Sequence, residues 1–374
     1  MKIFLDGIIF SKQLDGGISR IFRETLPRVT SIDPSVHFIV YLRRKLKAIN
    51  LPASDGVRLL YERSIYPWRW LSGKAHVQAN WLQRECRRSQ MDIFHTTYFT
   101  RPDELRAPYV VSVYDMMDEI YAPIIQRASQ WELVDRKRTC LASADLILSI
   151  SHSTARDIIR YCPVDEKRIV TIHLGVSPRF HTVVEETRKA TFRRKYHLER
   201  PYFLYVGNRR FIKNFMQLLR AYADSKTRQD VDLVTVGGEQ EFTTEERAFI
   251  STKSLESTVK HWGNMSDEEL CLAYNCASAF LYPSLYEGFG LPLLEAMACG
   301  APVVASKTGS IPEVAGDAAL YFNPQDLDDI RSSLETVIQP GTAATLTEKG
   351  KARARLFTWE ETARKTLDAY RQLV

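Results

Sequence analysis

The stretch from Ala279 to Ser306, AFLYPSLYEGFGLPLLEAMACGAPVVAS, restricts the fold of this chain more than any other segment. It reads as strand, loop, helix, turn, strand. Ala279 to Tyr282 is a short apolar run closed by Pro283, the pattern of a buried strand. Gly288 and Gly290 let the backbone turn sharply and approach a ligand closely. Pro292 suits a first helical position, Gly300 stops the helix behind Cys299, and Val303 to Ala305 begins the next strand. Glu287 is thereby set on a loop at the carboxyl end of a strand, and Glu295 early in the helix that follows. In open parallel sheets that crevice is where ligands bind. Two acids beside two glycines need a reason that packing does not supply.

The run Glu287-Gly-Phe-Gly-Leu-Pro-Leu-Leu-Glu295, continued by Ala-Met-Ala-Cys-Gly-Ala-Pro-Val, resembles the double-glutamate signature of retaining glycosyltransferases, closest to glycosyltransferase family 4. The resemblance implies an α/β protein of the GT-B fold, two Rossmann-like domains facing each other across a cleft. It implies that Glu295 accepts hydrogen bonds from vicinal ribose hydroxyls and that Glu287 lies near the transferred sugar. Phe289 and Gly290 would lend backbone amides to sugar hydroxyls, with Leu291 beside them on the donor side.

At 374 residues the chain is about twice a typical domain, which agrees with two domains. Short strands alternate with helical stretches throughout, the rhythm of parallel sheets covered on both faces. In the first half the strands are Lys2–Leu5, Phe38–Tyr41, Ile93–His95, Tyr109–Val113, Leu146–Ser149 and Ile169–Ile172. In the second they are Tyr202–Val206, Leu233–Val236, Val259–Trp262, Ala279–Tyr282, Val303–Ala305 and Ala319–Phe322. HLGVSPRF and the polar stretch after it end the first domain, giving 1–182 on the acceptor side and 183–356 on the donor side. The amphipathic helix in 357–374 is expected, from the resemblance, to pack back on the first domain.

A strand that ends at Val206 is followed by Gly207-Asn208-Arg209-Arg210-Phe211-Ile212-Lys213-Asn214. A glycine at a strand's carboxyl end, two arginines and a lysine make an anion site, because backbone amides and a helix N-terminus add partial positive charge. The segment resembles the family's VG-x-R…K-N loop. By spacing Arg209 and Lys213 match the residues that hold the donor diphosphate, with Arg210 the spare. Gly309-Ser310 resembles another family loop near the diphosphate. The acidic pair Asp328-Asp329 sits on a predicted helix, so no metal and no other cofactor is expected. A uracil or guanine pocket is expected near Gly237-Gly238 and Trp262-Gly263-Asn264-Met265.

On the acceptor side, Asp15-Gly16-Gly17-Ile18-Ser19-Arg20 follows the first strand and precedes a helix. The resemblance puts Gly16 and Gly17 against the diphosphate and the acceptor, with Arg20 in reach of a phosphate. Tyr114-Asp115 stands where family members commonly show His-Asp. Asp115 is expected to contact acceptor or sugar. Tyr114, whose ordinary pKa is near ~10, is a poor base, and packing is an equal reading for it. For His95 a cleft-lining and a structural role stand level. Ser151 suits a helix N-cap.

Residues 1–180 hold 27 Lys and Arg against 19 Asp and Glu, while the remainder holds 24 against 26. A basic half points to an anionic partner, a membrane face or a phosphorylated substrate, or to solvated surface charge alone. Arg43-Arg44-Lys45-Leu46-Lys47 and the Trp68-Arg69-Trp70 segment suit a membrane interface; core burial of the tryptophans is the other reading. No apolar run approaches the ~18 residues of a membrane span, and no signal peptide is visible. Six scattered cysteines without CxxC pairs read as free thiols in a reducing cytosol.

The expectation is a cytoplasmic, metal-independent hexosyltransferase, peripheral at most to a membrane. It would move a hexose from a UDP-sugar or GDP-mannose to a glycan or lipid-linked sugar acceptor during surface polysaccharide synthesis. A UDP-sugar is put slightly ahead, with no residue that proves it. Nucleic acid is not among the expected partners. The alternatives are a non-catalytic nucleotide-sugar binder and a nucleotide-sugar 2-epimerase on the same fold, with a phosphorylase further behind.

Overall fold

The computed structural model describes residues 1–13, 16–42, 55–61, 75–125, 128–238 and 241–374. They form two compact units, Met1–Gly175 with Trp359–Val374, and Val176–Thr358. The first passage between units lies at Gly175, ahead of the 182/183 boundary read from the sequence. The reason is local: the Val176 amide donates to the Phe357 carbonyl at 3.1 Å, tying the chain into the second unit as soon as it enters.

The first unit runs through β1 (Lys2–Leu5), α1 (Ile8–Lys12), α2 (Gly17–Ile32), β2 (His37–Leu42), β3 (Val57–Tyr61), α3 (Ala75–Arg88), β4 (Ile93–Thr96), β5 (Tyr109–Val113), α4 (Met117–Ile125), α5 (Ala128–Ala142), β6 (Leu146–Ser149), α6 (His152–Tyr161) and β7 (Ile169–Thr171). Its strands pair in parallel in the order β3-β2-β1-β4-β5-β6-β7. Central strands such as β4 and β6 are buried along their whole length, including the polar residues His95, Thr96 and Ser149 at their carboxyl ends. β3 lies at the sheet edge, with Arg58 exposed and its other residues half-buried.

The second unit runs through α7 (Glu186–Lys195), β8 (Tyr202–Val206), α8 (Phe215–Asp224), β9 (Asp232–Val236), α9 (Thr244–Thr252), β10 (Val259–His261), α10 (Asp267–Cys276), β11 (Ala279–Tyr282), α11 (Leu291–Cys299), β12 (Val303–Ser306), α12 (Ile311–Ala315), β13 (Ala319–Phe322), α13 (Leu327–Val337) and α14 (Pro340–Ala354). Its parallel sheet has the order β10-β9-β8-β11-β12-β13. Strand order reverses between β1 and β4 in one sheet and between β8 and β11 in the other. That is the Rossmann arrangement, whose crevice lies outside the carboxyl ends of the strands at each reversal. α8 buries Phe215, Leu218, Leu219 and Tyr222 on the second sheet, each burial stabilising by about 1.5–3 kcal/mol. α9 and α10 open with capping boxes, Thr243 with Glu246 and Ser266 with Glu269.

The last helix, α15 (Trp359–Arg371), belongs to the first unit. Ala363, Leu367 and Tyr370 enter the same apolar cluster as Leu26, Val29 and Phe38. Arg28 pairs with Glu360 at 2.8 Å and Arg371 with Asp33 at 2.6 Å along the rim. Inside, the His95 ring has both nitrogens engaged: Nδ1 lies 2.7 Å from the Tyr370 hydroxyl and Nε2 lies 2.8 Å from Ser112 Oγ. His95 is therefore a packing residue that anchors α15.

Burial pushes the His95 imidazole down to about 3, so it stays neutral in the folded protein. Between the usual histidine range near ~6.5 and that value, the unfolded chain binds a proton that the folded chain refuses. Stability must then fall as pH falls, by about 1.4 kcal/mol per pH unit for one such proton. Denaturant titrations of wild type from pH 6 to pH 4 should show that loss, with a shallower slope in His95→Gln. Equal slopes would assign the acid sensitivity to other groups.

Candidate active site

Two loops meet where strand order reverses in the second unit. One follows β8 and carries Gly207 through the short 3₁₀ turn Phe211–Lys213; the other follows β11 and carries Glu287. The Leu285 amide donates to the Ile212 carbonyl at 2.8 Å, and Lys213 Nζ lies 2.6 Å from Glu287 Oε1. Asn214 closes the turn in a left-handed conformation, and its side-chain amide donates to the Pro324 carbonyl at 2.9 Å. Lys213 and Glu287 retain 27% and 12% side-chain exposure, so the pair is within reach of a solute.

The Glu287 loop is fixed from below. Ser310 Oγ, wholly buried, lies 2.9 Å from the carbonyls of both Glu287 and Phe289. Gly309 has φ +54°, and a Cβ there would come within 3.0 Å of the Glu287 carbonyl oxygen. Gly309-Ser310 thus acts on the main chain that carries Glu287. Gly290 has φ +103° and caps α11, whereas Gly288 keeps a negative φ and takes no part in the sharp turn expected of it. Leu291 opens α11, where first-turn amides have no intrahelical acceptor and the helix end is electropositive. Phe289 is buried with its ring 6.0 Å from Phe357. A Cβ on Gly207 would meet no atom within 4 Å, so the backbone there borders open space. Glu295 sits one turn into α11, buried, its Oε2 accepting from the Tyr274 hydroxyl of α10 at 3.3 Å.

Arg209 corrects the sequence reading. Its guanidinium is fully buried, with Nε 3.1 and 3.2 Å from the two Glu246 carboxylate oxygens, Nη2 donating to the Glu241 carbonyl and Nη1 3.4 Å from His261 Nδ1. The ring of Phe242 covers it at 5.0 Å. A buried guanidinium must be paired, and the carboxylate that caps α9 pairs it. Arg209 therefore braces the β8 loop against α9, and Arg210, which is exposed, is the arginine on the solvent side. At the expected base pocket, the Gly237 amide donates to the Gly263 carbonyl at 2.7 Å, joining the loops after β9 and β10. The Trp262 ring packs on Tyr196 and Tyr202, at 4.7 and 5.3 Å, and so serves the docking of α7.

In the first unit, the carboxyl ends of β1 and β4 are joined by Asp6, which accepts from Thr96 Oγ1 at 2.6 Å and from the Thr97 amide at 2.9 Å. Burial raises its pKa against those bonds. Tyr114 is buried, its hydroxyl donating to the Thr97 carbonyl at 3.0 Å, and burial pushes its pKa well above the usual range. It is a packed tyrosine and not a base. Asp115 is half-buried; its Oδ1 accepts from the Met117 amide at 3.0 Å and its carbonyl from Lys137 Nζ at 3.2 Å. Lys137 is itself buried and paired with Glu119 at 2.7 Å. Gly16 caps α2, exchanging hydrogen bonds with Ser19, and a Cβ on Gly17 would project into open space. Ser151 caps α6 by accepting from the Thr154 amide at 2.9 Å. Asp15, the Arg43–Lys47 cations and the Trp68–Trp70 segment lie outside the described residues.

Glu246, Tyr274, Ser310 and Lys137 are the residues whose positioning work the sequence reading missed. The spacing Thr243-x-x-Glu246 is a signal that could have marked a capping box, but its second use by Arg209 has no signal along the chain. No helix among the described residues is long and apolar enough to cross a membrane.

The family model Glycosyltransferase Family 4 matches residues 16–180, and the model Glycosyl transferases group 1 matches residues 187–353. The chain is 36% identical over 237 residues to O-antigen chain mannosyltransferase B of Escherichia coli, 62% of each protein. It is 28% identical over 258 residues to the MMP alpha-(1->4)-mannosyltransferase of Mycolicibacterium hassiacum, 67% of this chain and 59% of that one. The chain thus spans less than two thirds of the length of these relatives. Sucrose-phosphate synthase from Thermosynechococcus elongatus superposes with a TM-score of 0.79 at 22% identity, over 100% of this chain and 99% of the other. Anabaena HepE in complex with UDP-glucose superposes with a TM-score of 0.77 at 16% identity, again over 100% and 99%. At such identities the likeness shows the fold, which is GT-B. With two family models covering the two halves of the chain, the protein belongs to the group 1 glycosyltransferases of family 4.

Proposed function

We propose that the protein is a retaining mannosyltransferase that moves mannose from a nucleotide-diphosphate donor to a sugar hydroxyl of a glycan or lipid-linked acceptor in surface polysaccharide synthesis. The observation that carries this reading is the Lys213–Glu287 pair at the strand-order reversal of the second sheet. It joins the cation of an anion-binding loop to the carboxylate expected beside the sugar. The relatives found by sequence favour mannose, against the slight lean to a UDP-sugar. The structures that hold UDP are related at an identity that speaks for fold alone. The acceptor polymer grows in the cytoplasm in this reading, with the basic first half of the chain turned to a membrane face.

The donor diphosphate takes Glu287's place beside Lys213, and Arg210 and the first amides of α11 add to the positive field. As the sugar–oxygen bond breaks, charge builds on the departing diphosphate, and this preorganised field stabilises it there. These cations and amides supply the neutralisation, so the reaction needs no metal. Glu287, released from the lysine, faces the sugar. Glu295 binds the ribose hydroxyls in an orientation set by Tyr274. Asp115 serves the acceptor, its loop held by Lys137. The acceptor hydroxyl attacks from the face the diphosphate leaves, and a departing phosphate oxygen takes its proton.

A thermal-shift series without added metal, using GDP-mannose, UDP-glucose and their nucleotides, tests the donor first. GDP-mannose should raise the melting temperature, and UDP-glucose should not. A shift with UDP-sugars alone would overturn the mannosyl donor. In transfer assays on oligomannoside acceptors, Glu287→Gln should lose at least about 100-fold in kcat and keep the donor-induced shift. A wild-type protein that binds the donor and never transfers would favour the non-catalytic reading. Conversion of the free sugar nucleotide to its epimer would favour the epimerase.

Gly309→Ala separates positioning from contact. The new Cβ forces the Glu287 main chain aside, so the variant should melt several degrees lower and transfer at a fraction of the wild-type rate. Unchanged stability and turnover would show that the loop absorbs the methyl group and that Glu287 is not held as described.

A further inference from the structure

Helices α10 and α11 touch at two points one turn apart. Tyr274 of α10 donates to Glu295 of α11, and Cys299, the last residue of α11, has its sulfur 3.7 Å from that of Cys271 on α10. Cys271 and Tyr274 are three apart on one helix, Glu295 and Cys299 four apart on the other, so both contacts share one helix–helix seam. Both thiols are buried, at 3% and 2% exposure. The Cys271 sulfur also has Asn275 Nδ2 at 3.6 Å and the His181 carbonyl at 3.5 Å. The hydrogen bond from Cys299 holds the Cys271 thiol down to about 6 despite burial, while burial and the Cys271 sulfur push Cys299 far up. One sulfur is thus the nucleophile and its neighbour keeps its proton.

We propose that Cys271 and Cys299 are an oxidisable dithiol that closes to an intramolecular disulfide and so moves the helix bearing Glu295. The oxidant is hydrogen peroxide. The Cys271 thiolate attacks a peroxide oxygen; the S–O bond forms, the O–O bond breaks, and hydroxide leaves. Cys299 then attacks the Cys271 sulfenic sulfur, the S–O bond breaks, and the oxygen departs as water with the Cys299 proton. Two thiols lose two electrons and two protons, and the peroxide becomes two waters. A disulfide needs sulfurs about 2.05 Å apart, so the present contact must shorten by about 1.6 Å. That movement falls one turn from the Tyr274–Glu295 bond. Any effect on donor affinity rests on the donor-site reading above; the cross-link does not.

The test is peroxide treatment of the native full-length chain, then denaturing alkylation and peptide mass spectrometry without reductant. The expected product is a Cys271–Cys299 linked peptide, reversed by dithiothreitol. In Cys299→Ser, dimedone should capture Cys271 as its sulfenic acid. Both thiols still alkylated after full peroxide treatment, or links scrambled to Cys276, would overturn the proposal. Hydrogen exchange of the Leu291–Cys299 peptide should differ between the reduced and oxidised protein, and identical exchange would overturn the coupling. GDP-mannose titrations of both forms separate the two readings. Loss of affinity on oxidation alone, at least about 5-fold, supports the coupling. Absence of binding in both forms counts against the donor site, while cross-link and exchange still decide the dithiol.

Discussion

The ion pair between Lys213 and Glu287 is the contact on which the chemistry proposed for the second unit depends, and it exists because two parallel strands sit side by side out of sequence order. β8 and β11 are neighbours in the sheet yet far apart in the chain, so the loops that follow them come together at the strand-order reversal, where such sheets form their crevice. One loop contributes the cation and the other the carboxylate. The pair satisfies both charges when no anion is bound and presents a lysine whose partner a diphosphate can displace. In the proposed function its worth lies in that exchange, since a partly exposed pair contributes little to folding.

Around that pair the protein spends its buried polar groups on holding loops still. Ser310 fixes the Glu287 main chain, Tyr274 fixes the Glu295 carboxylate, and Arg209 with Glu246 braces the β8 loop. The first sheet treats its own reversal point alike: Asp6 ties the ends of β1 and β4, and Lys137 holds the Asp115 loop. Each group finds its partner inside the fold, as buried polar groups must.

Much of this was legible in the sequence. Twelve of the strands lie where the sequence reading put them, because most carry a short apolar core such as Phe203–Tyr205 or Phe280–Tyr282 that a covered sheet buries. Edge strand β3 escaped: Arg58 interrupts VRLLY and none of its residues is fully buried. The Glu287 loop, Lys213 and Glu295 could be placed because glycine, proline and charge alternate there at short range. Arg209 was misassigned because spacing along a loop does not say which way a side chain turns; that was decided by Glu246, far along the chain. The same limit hid Tyr274 and the Cys271–Cys299 contact, both of which need two helices packed before they exist. Tyr114 became intelligible only when its hydroxyl was seen on the Thr97 carbonyl.

A crystal structure of the protein bound to GDP-mannose tests the central claim most directly. The account predicts the diphosphate at the carboxyl ends of β8 and β11, with Lys213 Nζ within hydrogen-bond distance of a phosphate oxygen and no longer on Glu287, and with Arg209 still paired to Glu246. A diphosphate bound elsewhere, or one bound there with the Lys213–Glu287 pair intact, would contradict it.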